Sequence, residues 1–242
     1  MLEPQNAYDN PEFFAGYAKV RENPRSANTV LEGPALRSLL PSLTGKRVLD
    51  LGCGTGGLCR YAIEQSAVSV VGVDVSEKML EVARSDGDER IRYVCAALED
   101  FVPEPESFDV VTSSLALHYI GDIRPVFERV VACLTPGGSF VFSVEHPMGT
   151  ARIADQAWHK DDEGKRLYWP VDDYAAEGER TREWLMAGLR TYHRTVETYV
   201  NTVLDAGLRL ERLLEAAPSL EETDFYDARR RPLFLFIRAG KP

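Results

Sequence analysis

Apolar positions along the chain come in short unbroken runs separated by amphipathic stretches. Lys46–Leu51, Val68–Val73, Ile91–Cys95, Phe108–Thr112 and Ser139–Val144 each read as a strand. The valine-rich run at 68–73 has the composition of a parallel strand buried on both faces. Between them the spacing predicts helices: Leu58–Gln65, a run capped by Ser76 that ends near Asp86-Gly87, and Asp122–Leu134 before Pro136-Gly137-Gly138. Asn10-Pro11 and Asn23-Pro24 are start signals for two helical pieces within residues 11–40, the second carrying Leu36, Leu39 and Leu40 and stopping at Pro41. Strands alternating with helices imply an α/β fold with a mostly parallel sheet covered on both faces.

The alternation breaks at 147–190, a charge-rich stretch with Trp158, Tyr168, Trp169, Tyr174 and Trp184 scattered through it. It resumes with a helix expected over Tyr192–Ala206, ended by Gly207, and two strands, Leu208–Leu214 and Leu233–Ile237. The linker between these strands holds Asp224, Asp227 and Arg229-Arg230-Arg231. It leaves little room for a crossover helix, so the final strand is expected to run antiparallel. One unit over 1–242 is expected: a helical cover at 1–44, a core at 45–146, an inserted lid at 147–190, and a helix with a strand pair at 191–242.

Composition narrows the function classes. The 242 residues carry a formal charge of −10. A net acidic surface repels phosphate backbones and anionic lipid, so no nucleic-acid partner is expected. No apolar run approaches the ~20 residues of a membrane span, and the start lacks the pattern of a secretory signal. Cys53, Cys59, Cys95 and Cys133 form no CxxC pair and no zinc-ligand spacing, so four reduced thiols, no metal and a cytoplasmic location are expected.

The chemistry concentrates in Asp50-Leu51-Gly52-Cys53-Gly54-Thr55-Gly56, which follows a strand and opens a helix. Glycines there permit a tight turn and close approach of a ligand to the backbone. Gly52, Gly54 and Gly57 also satisfy GxGxxG, so the loop by itself fits a dinucleotide as well. Asp50, two residues before the first glycine, would crowd a pyrophosphate but suits a cationic amino group. Asp74, ending the next strand, can accept from both hydroxyls of a ribose.

With these two carboxylates the sequence resembles the class I S-adenosylmethionine-dependent methyltransferases, in particular small-molecule enzymes of the ubiquinone/menaquinone-biosynthesis type. The resemblance covers roughly residues 40–145 through VLDLGCGTG at 48–56, VVGVDVSEKML at 70–80, FDVVTSSLALHYI at 108–120 and LTPGGSFVFSVEHP at 134–147. It implies a Rossmann-like, mostly parallel seven-stranded sheet whose final strand is antiparallel, and S-adenosyl-L-methionine as cofactor. It implies that Gly52, Cys53 and Gly54 contact the donor through the backbone, that Asp50 supports its amino group, and that Asp74 binds the ribose. Val75 and Met79 would pack on the adenine, Ala97 and Leu98 would meet its edge, and Ser114 would border the sulfonium. Ala97 departs from the aspartate common at that place, which leaves the edge to Leu98, Glu99 or Asp100.

Candidates on the acceptor side are less defined. His118 follows the fourth strand and Glu145-His146 the fifth, where ligands of open parallel sheets bind. His146 or His118 is the candidate general base, needed where an oxygen or carbon acceptor must lose a proton, though His118 reads equally as a polar contact or a capping side chain and His146 equally as structural. His193 reads as a substrate contact or as packing at a helix start. Tyr17 and Arg21, on the N-terminal helices, read either as closing over the cofactor or as surface packing, and the aromatic rings of 147–190 either line an apolar pocket or dock the segment. Arg229–Arg231 reads as a solvated turn or an acidic-ligand contact. The expected reaction is methyl transfer to a small, partly apolar molecule at oxygen or carbon. Two rivals stand beside it: an NAD(P)-dependent oxidoreductase and a non-catalytic S-adenosylmethionine-binding protein. Ser113-Ser114-Leu115-Ala116 after the fourth strand lacks the Asn/Asp-Pro-Pro-Tyr pattern of base- or glutamine-modifying enzymes.

Overall fold

The computed structural model describes residues 5–85, 87–154, 157–218 and 225–242. Asp86 and Asp224, and the side chains of Arg21 and Trp184, lie outside the described residues.

A seven-stranded sheet organises the chain. In chain order its strands are β1 (Arg47–Leu51), β2 (Ser69–Asp74), β3 (Ile91–Cys95), β4 (Phe108–Ser114) and β5 (Leu134–Glu145), followed after four short strands outside the sheet by β10 (Arg209–Leu214) and β11 (Phe234–Gly240). They lie side by side as β10-β11-β5-β4-β1-β2-β3. β1 pairs in parallel with β2 and β4, and β4 with β5. β11 runs antiparallel to both β5 and β10, so the reversed strand is set inside the sheet rather than at its edge. This is the Rossmann-like sheet with an antiparallel final strand that the sequence implies.

Helices α3 (Gly57–Glu64), α4 (Glu77–Ser85), α5 (Arg124–Cys133) and α7 (Val196–Asp205) link the strands. α1 (Pro11–Glu22) starts where Asn10 accepts from the amides of Glu12 and Phe13, with Pro11 in the first turn, where its missing N–H costs nothing. α2 (Gly33–Leu39) is preceded by a widened helical turn, Asn28–Glu32, so the second N-terminal helix begins later than Asn23-Pro24 suggests. The main core lies on the α5/α7 face of the sheet. There Phe127, Phe140 and Phe142 are fully buried and meet edge to face at 5.2 and 5.4 Å. Each such ring contributes roughly 2–3 kcal/mol by leaving water.

The insert is more regular than its sequence suggests. It holds a short helix α6 (Pro147–Thr150), a hairpin of β6 (His159–Lys160) and β7 (Arg166–Tyr168), and a longer hairpin of β8 (Gly178–Trp184) and β9 (Met186–His193). Tyr192 and His193 therefore close a strand, and the helix expected over Tyr192–Ala206 begins only at Val196, where Thr195 accepts from the Thr198 amide. A final helix α8 (Tyr226–Arg230) precedes β11. Arg231 stacks 4.0 Å over Trp169 and Arg230 4.6 Å over Trp158, so these two insert rings dock on the C-terminal region. Among the described residues no helix is long and apolar enough to cross a membrane.

Candidate active site

β1, β2 and β4 all end at the same edge of the sheet, and the loops that leave them face one another there. Gly52 and Gly54 have φ of +75° and +53°, the left-handed region a side chain would oppose. The Gly52 and Cys53 amides both donate to the Val73 carbonyl, at 2.8 and 2.9 Å, which fastens the loop to the end of β2. Asp74 completes the fastening: its carboxylate accepts from the Gly54 amide at 2.8 Å and from the Ser76 amide at 2.9 Å. Asp50 is buried beneath the loop, where the Thr112 hydroxyl donates to it at 2.8 Å and the Cys59 thiol at 3.5 Å. Burial pushes its pKa up to about 6 against those two donors, and the charges of Asp74 and Glu32 push the same way. Burial likewise raises Asp74.

These groups open into one cavity of about 220 Å³. Tyr17, Asp50, Gly52, Cys53, Gly54, Asp74, Val75, Met79, Ala97, Leu98 and Ser114 all line it, as does Glu99 beside the Ala97 position. A β-carbon on Gly54 would find nothing within 4 Å, so the bare backbone faces open space. Two buried carboxylates held against their own desolvation, beside an uncovered peptide edge, match a cationic amino acid joined to a ribose.

Sequence reasoning did not find the cover. Residues 5–9 lie across the cavity, with Gln5, Ala7 and Tyr8 in its wall. Asp9 accepts from the Ser76 hydroxyl at 2.6 Å and from the Lys78 amide at 3.3 Å, so the cover is tied to the start of α4. On the other side Gln5 exchanges two hydrogen bonds with the backbone of Arg190 in β9, at 2.9 and 3.2 Å. Tyr8 stands edge to face with Tyr17 at 5.1 Å and with Tyr119 at 6.2 Å.

The far half of the cavity is walled by Leu115, Ala116, His118, Tyr119, Glu145 and Phe234. His118 is buried, and its Nδ1 has no hydrogen-bond partner among the described residues. Burial, then the charges of Arg182 and Arg194, hold its pKa well below the ordinary histidine value, so the imidazole is neutral. Glu145 forms an ion pair with Arg182 of β8, joining the end of β5 to the insert.

The structure does not bring His146 to the cavity. Its Nδ1 accepts from the Met148 amide at 3.1 Å as the cap of α6, and its Nε2 meets Glu215 at 2.7 Å. His193 is likewise committed, to the Thr150 hydroxyl at 2.8 Å and the Tyr174 carbonyl at 2.9 Å.

Comparison with known proteins agrees with this geometry. A profile for a methyltransferase domain matches residues 48–138. A Haemophilus influenzae protein of uncharacterised function is 38% identical over 98% of this chain and 97% of its own length. A ubiquinone biosynthesis O-methyltransferase from Idiomarina loihiensis is 40% identical, over 42% of this chain and 43% of that one. The crystal structure of an S-adenosylmethionine-dependent methyltransferase from Mesorhizobium loti superposes with a TM-score of 0.82 at 40% identity, covering 90% of this chain and 99% of that chain. The oxidoreductase reading of the glycine loop falls with this match, and the chain belongs to the S-adenosylmethionine-dependent methyltransferases.

Proposed function

We propose that this enzyme transfers a methyl group to an oxygen or carbon of a small, partly apolar molecule by in-line displacement, with His118 as the general base. One observation carries the reading. A single cavity runs from the Asp50–Gly54 loop to a buried, neutral imidazole whose Nδ1 lacks a partner. A buried imidazole nitrogen left without a partner costs about 1–3 kcal/mol, a cost that a polar group of the bound acceptor would remove.

S-adenosylmethionine supplies an electrophilic methyl on a sulfonium leaving group. Asp50 offers its carboxylate to the donor's ammonium, Asp74 to the ribose hydroxyls, and the Gly52–Gly54 backbone lies along the methionine and ribose moieties. Val75 and Met79 face the adenine, with Ala97 and Leu98 at its edge. Tyr17 and Tyr8 exclude water from above. Leu115, Tyr119 and Phe234 give the acceptor half its apolar walls. The His118 imidazole takes the acceptor's proton as the nucleophile forms its bond to the methyl and the methyl–sulfur bond breaks, its electron pair leaving with the thioether. Most of the rate then comes from alignment in a closed chamber. The insert 147–190 serves as the acceptor's lid within a single unit, and four free thiols together with the acidic surface suit a cytoplasmic protein acting on small molecules rather than nucleic acid.

The test is a screen of phenols and enolisable carbonyl compounds with methyl-labelled S-adenosylmethionine, repeated with His118→Ala. Label should pass to a small apolar acceptor in the wild type and fall by roughly 10²–10⁴ in the variant. Full turnover by His118→Ala would remove the base assignment. Label appearing only on nucleic acid or protein would remove the acceptor class.

A further inference from the structure

Glu32 is a charged residue at which the sequence shows nothing unusual, yet it is 3% exposed. It closes the widened turn before α2. One of its oxygens, Oε1, accepts from the Ser114 hydroxyl at 2.8 Å and from the Ser143 hydroxyl at 2.6 Å. Ser143 Oγ in turn accepts from the Leu115 amide at 3.1 Å, and the Ser143 carbonyl accepts from the same amide. Leu115 has a φ of +52°, unusual for a branched side chain. Glu32 thus belongs to a network that holds the ends of β4 and β5 and the turn leading to Ala116 and His118.

This network stands at a particular place. β4 lies next to β1 in the sheet, so Ser114 adjoins the glycine loop. The donor's amino-acid and ribose groups belong to the β1 and β2 side, and the acceptor to the β4 and β5 side. The reactive sulfur must therefore sit at the boundary, in front of Ser114. Glu32 is one hydrogen bond behind that position, and its charge already reaches the floor of the donor half, where it raises the Asp50 pKa.

We infer that the buried carboxylate of Glu32 is a positioning and charge-sensing residue that favours the sulfonium donor over its neutral thioether product. The inference rests on the proposed donor site. S-adenosylmethionine bears a sulfonium charge that S-adenosylhomocysteine lacks, and the two are otherwise nearly the same shape. A fixed negative charge near the sulfur adds to the affinity of the first only. Methyl transfer then cancels the attraction and helps the product leave.

Glu32→Gln tests this, because an amide oxygen can accept the same two serine hydroxyls without the charge. Isothermal titration of wild type and variant with each ligand gives the ratio of the two dissociation constants. We expect S-adenosylmethionine to bind at least roughly tenfold more weakly to the variant, the scale of a charge pair about 12 Å apart at an effective dielectric constant of ~20. S-adenosylhomocysteine should stay within about twofold. A ratio unchanged from wild type, whether both ligands weaken or neither does, overturns the inference. Should Glu32→Gln fail to fold, Glu32→Asp carries the test. It keeps the charge, so the preference must survive even where both affinities fall, and its disappearance overturns the inference. A wild type that binds neither ligand would instead remove the donor reading beneath it.

Discussion

A β-carbon added to Gly52 would stand 2.3 Å from the β-carbon of Ala116. The donor loop and the acceptor-side turn are therefore in close contact, with only the Ala116 methyl group between them. Gly52→Ala meets that clash and also a φ of +75°, so either loop must shift. We expect a stability loss of about 2 kcal/mol or more and the disappearance of measurable S-adenosylhomocysteine binding. Gly54→Ala meets no neighbour, so it should cost only about 1 kcal/mol while still blocking the ligand. Thermal unfolding paired with titration separates the two variants.

Donor affinity should depend on pH through Asp50. Its folded pKa of about 6 lies above the ordinary value of 3.8. Ionising it is thus harder in the folded protein, and the free protein gains stability as pH falls from 7 towards 4. The difference amounts to about 3 kcal/mol between the two limits. Donor binding runs the other way, because an ammonium group favours the carboxylate. S-adenosylhomocysteine should bind more weakly as pH drops below 6 and release protons on binding there. Asp50→Asn should stabilise the free protein at pH 8, weaken the ligand and flatten the profile. An affinity that does not change between pH 5 and 8 would contradict the assignment of Asp50 to the amino group.

His118 predicts a different profile. Because its pKa is depressed, it remains an unprotonated base well below 6.5. At saturating donor and acceptor, turnover should show no acid limb near 6.5, and His118→Ala should leave the S-adenosylhomocysteine dissociation constant within about twofold. An acid limb at 6.5 that vanishes in the variant would show that the histidine titrates normally in the complex.

The cover of residues 5–9 should set how long the donor stays. Asp9→Ala removes the acceptor for the Ser76 hydroxyl and the Lys78 amide. The cost should be about 1 kcal/mol of stability, the usual scale for such hydrogen bonds. Ligand dissociation should quicken roughly fivefold or more, that energy expressed as a rate. Stopped-flow displacement of S-adenosylhomocysteine measures it, and an unchanged off-rate would mean that the cover is not a gate.

The parts of the molecule that could be read from sequence are those whose burial is apolar. β2 is a valine run because both its faces are covered, and the turn after β1 announces itself through glycines that backbone geometry requires. The β8–β9 hairpin escaped because, apart from Leu189, the inward positions described are polar. Arg180 is 4% exposed and satisfied by the carbonyls of Ala151 and Ala176, while Thr191 and His193 fill the buried face of β9. One buried leucine among polar inward residues does not make the period-2 apolar pattern that marks a strand. Glu32 escaped for the same reason, since a glutamate near a helix start reads as solvated. Tyr8 and Gln5 escaped because what they touch lies far along the chain, in Tyr119 and Arg190. His146 follows a strand just as His118 does, and only three-dimensional packing separates the one that caps α6 from the one that lines the cavity.

The reversal of β11 has a further outcome for how occupancy relates to folding. Running against its neighbours, this strand presents its first residue, Phe234, at the ligand edge, paired across from Glu145. Gln5 lines the same cavity. The chamber is thus assembled from segments far apart in the chain, and a partly folded species lacking either one does not enclose it. Bound ligand therefore reports on the joining of these distant segments, and removing 5–9 or 234–240 would open the chamber even with every motif of the glycine loop intact.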